Sequence, residues 1–254
     1  MFVDTHCHLY MGSWTSDLDK VIDLATNTNI EKIICPGIDI DSSIKCIKIS
    51  ENYPNVFAAV GIHPHEAEGA PQDFIDTLCK FRKNPKVVAI GEMGLDFYRN
   101  FSDEKSQRKV FIEQLQLSKE LNLPVIVHNR NADKEVIQIL TEYSPIKGVA
   151  HCFSSDLLTA EKLLDLGLYI SFAGNLTYKN SQLVQVASAI PLNRILIETD
   201  APFLSPEPVR GKENSPNHLV HIAEKLADCK NLTINEIAKD TSQNAEKLFK
   251  LRLA

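Results

Sequence analysis

Short runs of apolar, β-branched residues alternate along the chain with longer stretches whose apolar positions recur every three to four residues. The runs are 2–8 (FVDTHCH), 32–38 (KIICPGI), 56–63 (VFAAVGIH) and 87–92 (VVAIGE), then 124–128 (PVIVH), 147–153 (KGVAHCF), 168–173 (LYISFA) and 195–200 (ILIETD). Val and Ile dominate them with little alternation, as in parallel strands covered on both faces. The stretches between predict helices at 17–29, 41–52, 72–83, 103–122, 131–143, 156–166 and 179–189, with 216–229 and 233–250 closing the chain. In 103–122 the periodicity is plainest: Val110, Leu115, Leu117 and Leu121 fall among charged residues, and Asp103 and Glu104 suit a first turn.

Eight strands alternating with helices predict one α/β domain over 1–254, a single (β/α)8 barrel of the triosephosphate isomerase type. The rival, an open doubly wound sheet, would carry a glycine-rich phosphate fingerprint after its first strand. His6-Cys7-His8 stands there instead. No low-complexity tract, charge block or Gly/Ser linker marks a domain boundary.

Barrel enzymes place their chemistry at the C-terminal ends of the strands. Here those ends carry His6 and His8 on the first, His63 on the third, Glu92 on the fourth, His128 on the fifth, His151 on the sixth and Asp200 on the eighth. A lone HxH is a weak signal, and a lone strand-end histidine is usually just a hydrogen-bonded polar group. The set is different, because each member lands independently where the fold reserves space for catalysis. Side-chain alternation puts His6 and His8 on one face with Cys7 on the other, so two imidazoles of one strand can share an ion. Four histidines and two carboxylates exceed the needs of one tetrahedral ion. Glu92, from a middle strand, is the expected bridge between two ions. Barrel closure sets strand eight beside strand one, so Asp200 completes the first site.

Charge and composition narrow the function. The net charge of −6 and pI near 5.8 exclude whole-molecule attraction to long nucleic-acid duplexes and favour strand ends. Two divalent ions less two carboxylates leave a local centre near +2, enough to draw a phosphate. Six scattered cysteines (7, 35, 46, 79, 152, 229) form no CxxC pair, and reduced thiols are expected. With no signal-like or membrane-length apolar run, the expected compartment is the cytoplasm. Neither a membrane nor an obligate protein partner is expected.

At the candidate ligands the sequence resembles the TatD-type metal-dependent deoxyribonucleases of the amidohydrolase superfamily. The resemblance runs along the chain through DTHCHL (4–9), VGIHPH (60–65), AIGEMGLDF (89–97), PVIVHNR (124–130), AHCFS (150–154) and IETDAPFLSP (197–206), with RGKENSPNH (210–218) in a long loop. It implies one metal at His6, His8, Glu92 and Asp200 and another at Glu92, His128 and His151. The implied reaction is phosphodiester hydrolysis, with exonuclease action from the 3′ end of DNA its best-known form. Other amidohydrolases often bridge their metals with a carboxylated lysine at the end of strand four; Glu92 in that place favours the TatD type.

The expected chemistry is in-line attack of an activated water on phosphorus, with Asp200 orienting the water and taking its proton. His63 is expected to touch a phosphate oxygen or the leaving group, against a plain structural role. Arg130 is expected to clamp a phosphate, against a salt bridge to a barrel carboxylate. Glu198 should orient a ligating imidazole; Asp96 does the same or starts the next turn. The Pro-rich 201–216 segment reads as a functional loop, with Arg210 and Lys212 as backbone contacts against a solvated role. Tyr10, Trp14, Phe97, Tyr98 and Phe203 are candidates to stack on unpaired bases, with most of them expected to pack instead. His218 and His221 read as surface residues, and His65 stays open. The metal stays open among Mg, Mn and Zn. Two other functions remain: hydrolysis of a small ester or amide, such as an aminoacyl ester, and metal binding without turnover.

Overall fold

A computed structural model describes residues 1–251. Its eight strands lie in one parallel sheet in sequence order: β1 (Phe2–Asp4), β2 (Ile30–Pro36), β3 (Val56–Val60), β4 (Val87–Asp96), β5 (Val125–Arg130), β6 (Gly148–Ala150), β7 (Leu168–Phe172) and β8 (Ile195–Ile197). The intervening helices are α1 (Leu18–Asn27), α2 (Ile40–Asn52), α3 (Phe74–Phe81), α4 (Glu104–Leu121), α5 (Asp133–Glu142), α6 (Leu157–Asp165) and α7 (Leu183–Ala189), followed by α8 (Leu219–Lys230) and α9 (Ile234–Phe249). This is the expected (β/α)8 barrel. None of the described helices is long and apolar enough to cross a membrane.

The helix ends follow from local chemistry. Asp17, Asp39, Asp103, Asp156 and Thr233 each accept a backbone N–H of the first turn of α1, α2, α4, α6 and α9. Asn122 and Asn231 end α4 and α8 in the left-handed conformation, which asparagine tolerates.

The seam between β8 and β1 closes above the regular strands. Asp200 donates its N–H to the His6 carbonyl at 2.9 Å, and His8 donates to Ala201 at 2.8 Å. Inside the barrel, Val3, Ile34, Phe57, Val149, Tyr169 and Leu196 pack with Leu248 and Phe249 of α9. α9 closes the N-terminal end, where Lys32 donates to Glu246 at 2.5 Å. The opposite end is left for polar side chains.

Several strands are shorter than the apolar runs that predict them. β1 stops at Asp4 and β8 at Ile197, so His6, His8, His63, His151 and Asp200 all lie just past the regular ladder. Beyond Asp4 the chain stays extended with only one isolated bridge, Cys7 to Ala201. β4 is longer than predicted and carries its pairing with β5 as far as Asp96–Arg130.

Candidate metal centre

Glu92 reaches the centre because β4 hugs β5 unusually closely. Gly91 and Gly94 have φ of 143° and 144°, which side-chain-bearing residues rarely adopt. A Cβ on Gly91 would lie 2.6 Å from the Ile126 carbonyl oxygen, and one on Gly94 would collide with the His128 carbonyl. The GEMG stretch therefore seats Glu92 against the His128 strand. Asp200 and Cys152 are also left-handed (φ 53° and 45°), a conformation that costs a non-glycine residue about 1–2 kcal/mol and clusters at functional sites.

The six predicted ligands converge and are buried, His128 least so. On one side, His6 Nε2 lies 3.2 Å from His8 Nε2, 3.3 Å from Glu92 Oε2 and 3.7 Å from Asp200 Oδ1. His8 Nε2 is 3.7 Å from Glu92 Oε2 and 3.5 Å from Asp200 Oδ1. Donors bound tetrahedrally at about 2.0–2.2 Å stand about 3.3–3.6 Å apart, so this set fits an ion. On the other side, Glu92 Oε1 lies 2.9 Å from His128 Nδ1 and 2.8 Å from His151 Nε2, which are 3.3 Å from each other. The donor chemistry fits there too, and the two oxygens of Glu92 serve different histidine pairs.

Neighbours select the tautomers. His8 Nδ1 is 3.2 Å from the Pro36 carbonyl, which can only accept, so Nδ1 carries the proton and Nε2 is free to ligate. His128 Nε2 donates to Asp96 Oδ2 at 3.2 Å, freeing Nδ1. Asp96 fills both of its expected roles, since its Oδ1 also accepts the Tyr98 and Arg99 N–H groups of the following turn. Glu198 Oε1 is 3.3 Å from His151 Nδ1, but the alignment is not that of a hydrogen bond. Glu198 is instead held by the Cys152 N–H and the Ser171 hydroxyl at 2.5 and 2.7 Å.

His63 differs from the ligands. Its Nδ1 accepts the His65 N–H at 3.1 Å, so the proton sits on Nε2, which lies 3.3 Å from Glu92 Oε1. Burial pushes its pKa down to about 4, so the ring is neutral near pH 7. Burial would raise the Glu92 carboxyl, but the charge of His151, the other imidazoles packed round it and the His128 hydrogen bond outweigh it and hold the group well below its usual range. Burial likewise opposes ionisation of Asp200, and the His8 hydrogen bond with the charge of His6 wins. Burial would lower His151, yet Glu92 and Glu198 hold it well above the ordinary imidazole value.

The ligands open into a cleft of about 670 Å³ that Arg130, His63, His65 and Phe203 also line. Arg130 is exposed, with its guanidinium 4.1 Å from the Tyr98 ring centre and no carboxylate within salt-bridge range among the described residues. Arg210 does not line the cleft; it stacks 4.0 Å over Tyr178 and pairs with Glu207 at 3.4 Å. Lys212 is exposed nearby. Of the aromatic candidates, Tyr10 turns its hydroxyl to His8 Nδ1 at 3.1 Å, Trp14 packs on the core, and Phe97 lies under Arg108. His218 is half-buried, accepting the Ser215 N–H as α8 begins, a correction to its reading as a surface residue; His221 is only partly exposed.

Sequence reasoning left His65 without a role. It donates to the same Asp96 oxygen as His128, at 2.9 Å, and so belongs to the site. The HPH spacing of 63–65, a repeat of the HCH at 6–8, was the available signal. Phe101 and Arg99 also line the cleft and had no sequence signal at all.

The chain matches the TatD related DNase family over residues 3–250. It is 39% identical over 254 residues to the metal-dependent hydrolase YabD of Bacillus subtilis, covering 99% of this chain and 100% of that one. It is 34% identical to the 3′-5′ ssDNA/RNA exonuclease TatD of Erwinia tasmaniensis, covering 98% and 99% of the two chains. The crystal structure of YJJV, a TatD homologue of Escherichia coli, superimposes with a TM-score of 0.93 at 31% identity and 98% coverage of both chains. With agreement over nearly its full length, in sequence and in fold, this chain belongs to the TatD-related DNase family and is a metal-dependent hydrolase.

Proposed function

We propose that the protein hydrolyses phosphodiester bonds of DNA, releasing nucleotides from the 3′ ends of single or frayed strands. In this reading two divalent ions, Mg, Mn or Zn, are held by His6, His8, Asp200 and Glu92 on one side and by Glu92, His128 and His151 on the other. The observation that carries it is the division of Glu92, whose Oε2 faces His6 and His8 while Oε1 faces His128 and His151. Bound ions of this kind lower the pKa of water toward neutrality and neutralise charge on phosphoryl oxygens.

The chain's own residues supply the rest. Asp200, kept ionised beside His8 and His6, orients the attacking water and accepts its proton. His63, neutral with its proton on Nε2, donates a hydrogen bond to a phosphate oxygen. Arg130 holds a further phosphate oxygen with a guanidinium that no carboxylate of the described residues occupies. The relative named as a 3′-5′ ssDNA/RNA exonuclease supports this choice of substrate.

The test is release of nucleotides from a 3′-labelled single-stranded oligonucleotide by metal-stripped protein, with Mg, Mn or Zn added back singly. Release restored by an ion in wild type and absent in Glu92→Ala is expected. No release with any ion, from protein shown to bind that ion, would overturn the reading in favour of a small ester or amide substrate.

A further inference from the structure

Soluble proteins leave few large aromatic side chains in water without a use for them. Among the described residues, the large apolar side chains that are both aromatic and exposed are Tyr98 (57%), Phe101 (67%) and Phe203 (51%). All three stand at the mouth of the cleft. Phe101 and Phe203 line it, and Tyr98 carries the Arg130 guanidinium. The two phenyl rings follow β4 and β8, four strands apart in barrel order, so they reach the cleft from different sides. Phe203 meets the His8 ring edge-on at 6.0 Å between centroids, and Phe101 meets His65 in the same way at 4.8 Å.

Both rings ride on fixed backbone. Phe203 donates its N–H to the Asp200 carbonyl at 2.9 Å, and buried Asn214 donates to the Phe203 carbonyl at 2.6 Å. Next to Phe101, buried Ser102 donates to the His65 carbonyl at 2.8 Å, and its own carbonyl accepts from Gln107 at 2.8 Å. An exposed apolar ring on a rigid support is pre-organised for a flat ligand.

The charges around the two rings differ. On the Phe101 side the cleft is lined by Arg99 and Arg130 together with Glu66 and with Asp96, whose carboxylate is taken up by His65 and His128; on the Phe203 side Asp200 lies with no arginine beside it among the described lining residues. A strand that continues beyond the scissile bond keeps its phosphates and belongs near the arginines. The terminal nucleotide, which has no further phosphate, belongs near Asp200.

We propose that Phe203 stacks on the base of the terminal nucleotide being released and Phe101 on the base before it, with Arg130 holding the intervening backbone. This rests on the nuclease reading above and deepens it: the substrate is a strand end with at least two unpaired bases. A duplex end cannot offer two separated faces, because its bases are stacked on each other.

The experiment pairs each ring with one base. Wild type, Phe203→Ala and Phe101→Ala are given three single-stranded oligonucleotides: intact, abasic at the 3′-terminal nucleotide, and abasic at the penultimate one. Removing a stacking partner is expected to lower kcat/KM about tenfold. Phe203→Ala should lower it on the intact strand yet change nothing on the terminally abasic one. Phe101→Ala should behave likewise with the penultimate abasic strand, and Phe203→Trp should restore the rate. Metal content per chain, unchanged in the variants, shows that the centre is intact. Equal losses on intact and abasic strands, or no loss, would overturn the stacking assignment while wild-type cleavage kept the nuclease reading alive. Failure of wild type to cleave the intact strand with any ion would overturn that reading and the inference with it.

Discussion

His128 donates from Nε2 to Asp96 Oδ2 at 3.2 Å, so the carboxylate of one strand fixes which nitrogen of the next strand's imidazole faces the metal side. Asp96 is fully buried and its acceptor capacity is taken by His128, His65 and two backbone N–H groups. Replacement by Asn leaves the turn but allows the wrong tautomer. Asp96→Asn is expected to weaken ion binding at the His128 side about 10- to 100-fold, as loss of such a partner generally does. Competition with a fluorescent chelator measures it, and unchanged affinity would remove Asp96 from the site.

The close approach of β4 to β5 makes a second prediction. Gly94→Ala would drive a methyl group into the His128 carbonyl from a left-handed backbone position. Destabilisation of about 3 kcal/mol or more is expected, read as a fall in the denaturation midpoint. A variant with wild-type stability would mean the β4 backbone is not held as described.

Proton exchange gives a third. Glu92 and Glu198 raise the His151 imidazole well above its ordinary value despite burial, so without an ion the ring holds its proton at neutral pH. A metal must displace that proton. The affinity therefore rises with pH and falls on acidification. Calorimetric titration at pH 7 in buffers of different ionisation enthalpy should show protons released on binding; heats independent of buffer would contradict the assignment of His151 as a ligand.

The fourth concerns Asp200. Asp200→Asn keeps the size of the side chain and its backbone tie to His6, but removes the proton acceptor. Loss of about 10²- to 10⁴-fold in kcat at saturating ion is expected. Full activity would show that another group takes the proton.

Much of this site was legible because barrel topology assigns strand ends a place before any contact is known. The residues His6, His8, Glu92, His128, His151 and Asp200 could be brought together from order and parity alone. The strand limits were less legible. The run 2–8 keeps backbone contact with both neighbouring strands, with the Cys7 and His8 N–H groups bonded to the Ile34 and Ala201 carbonyls, yet its regular ladder ends at Asp4 and only the isolated Cys7–Ala201 bridge lies beyond. The run that predicts β4 ends at Glu92, whereas the strand continues to Asp96, with Gly91 and Gly94 allowing close contact with β5. The roles of His65 and Arg210 depend on contacts that periodicity does not encode. His65 joins through a carboxylate 31 positions away, and Asn214, hydrogen-bonded to the Thr199 and Phe203 carbonyls, folds the 201–216 loop while Arg210 rests on Tyr178 outside the cleft.

The proposal that two ions are held with Glu92 between them is tested most directly by counting metal in the purified protein and in Glu92→Gln, by mass spectrometry after dialysis against each ion. The account predicts two ions per wild-type chain and loss of both, or retention of one only weakly, in the variant. One ion per wild-type chain at saturation, or two firmly bound in Glu92→Gln, would contradict it.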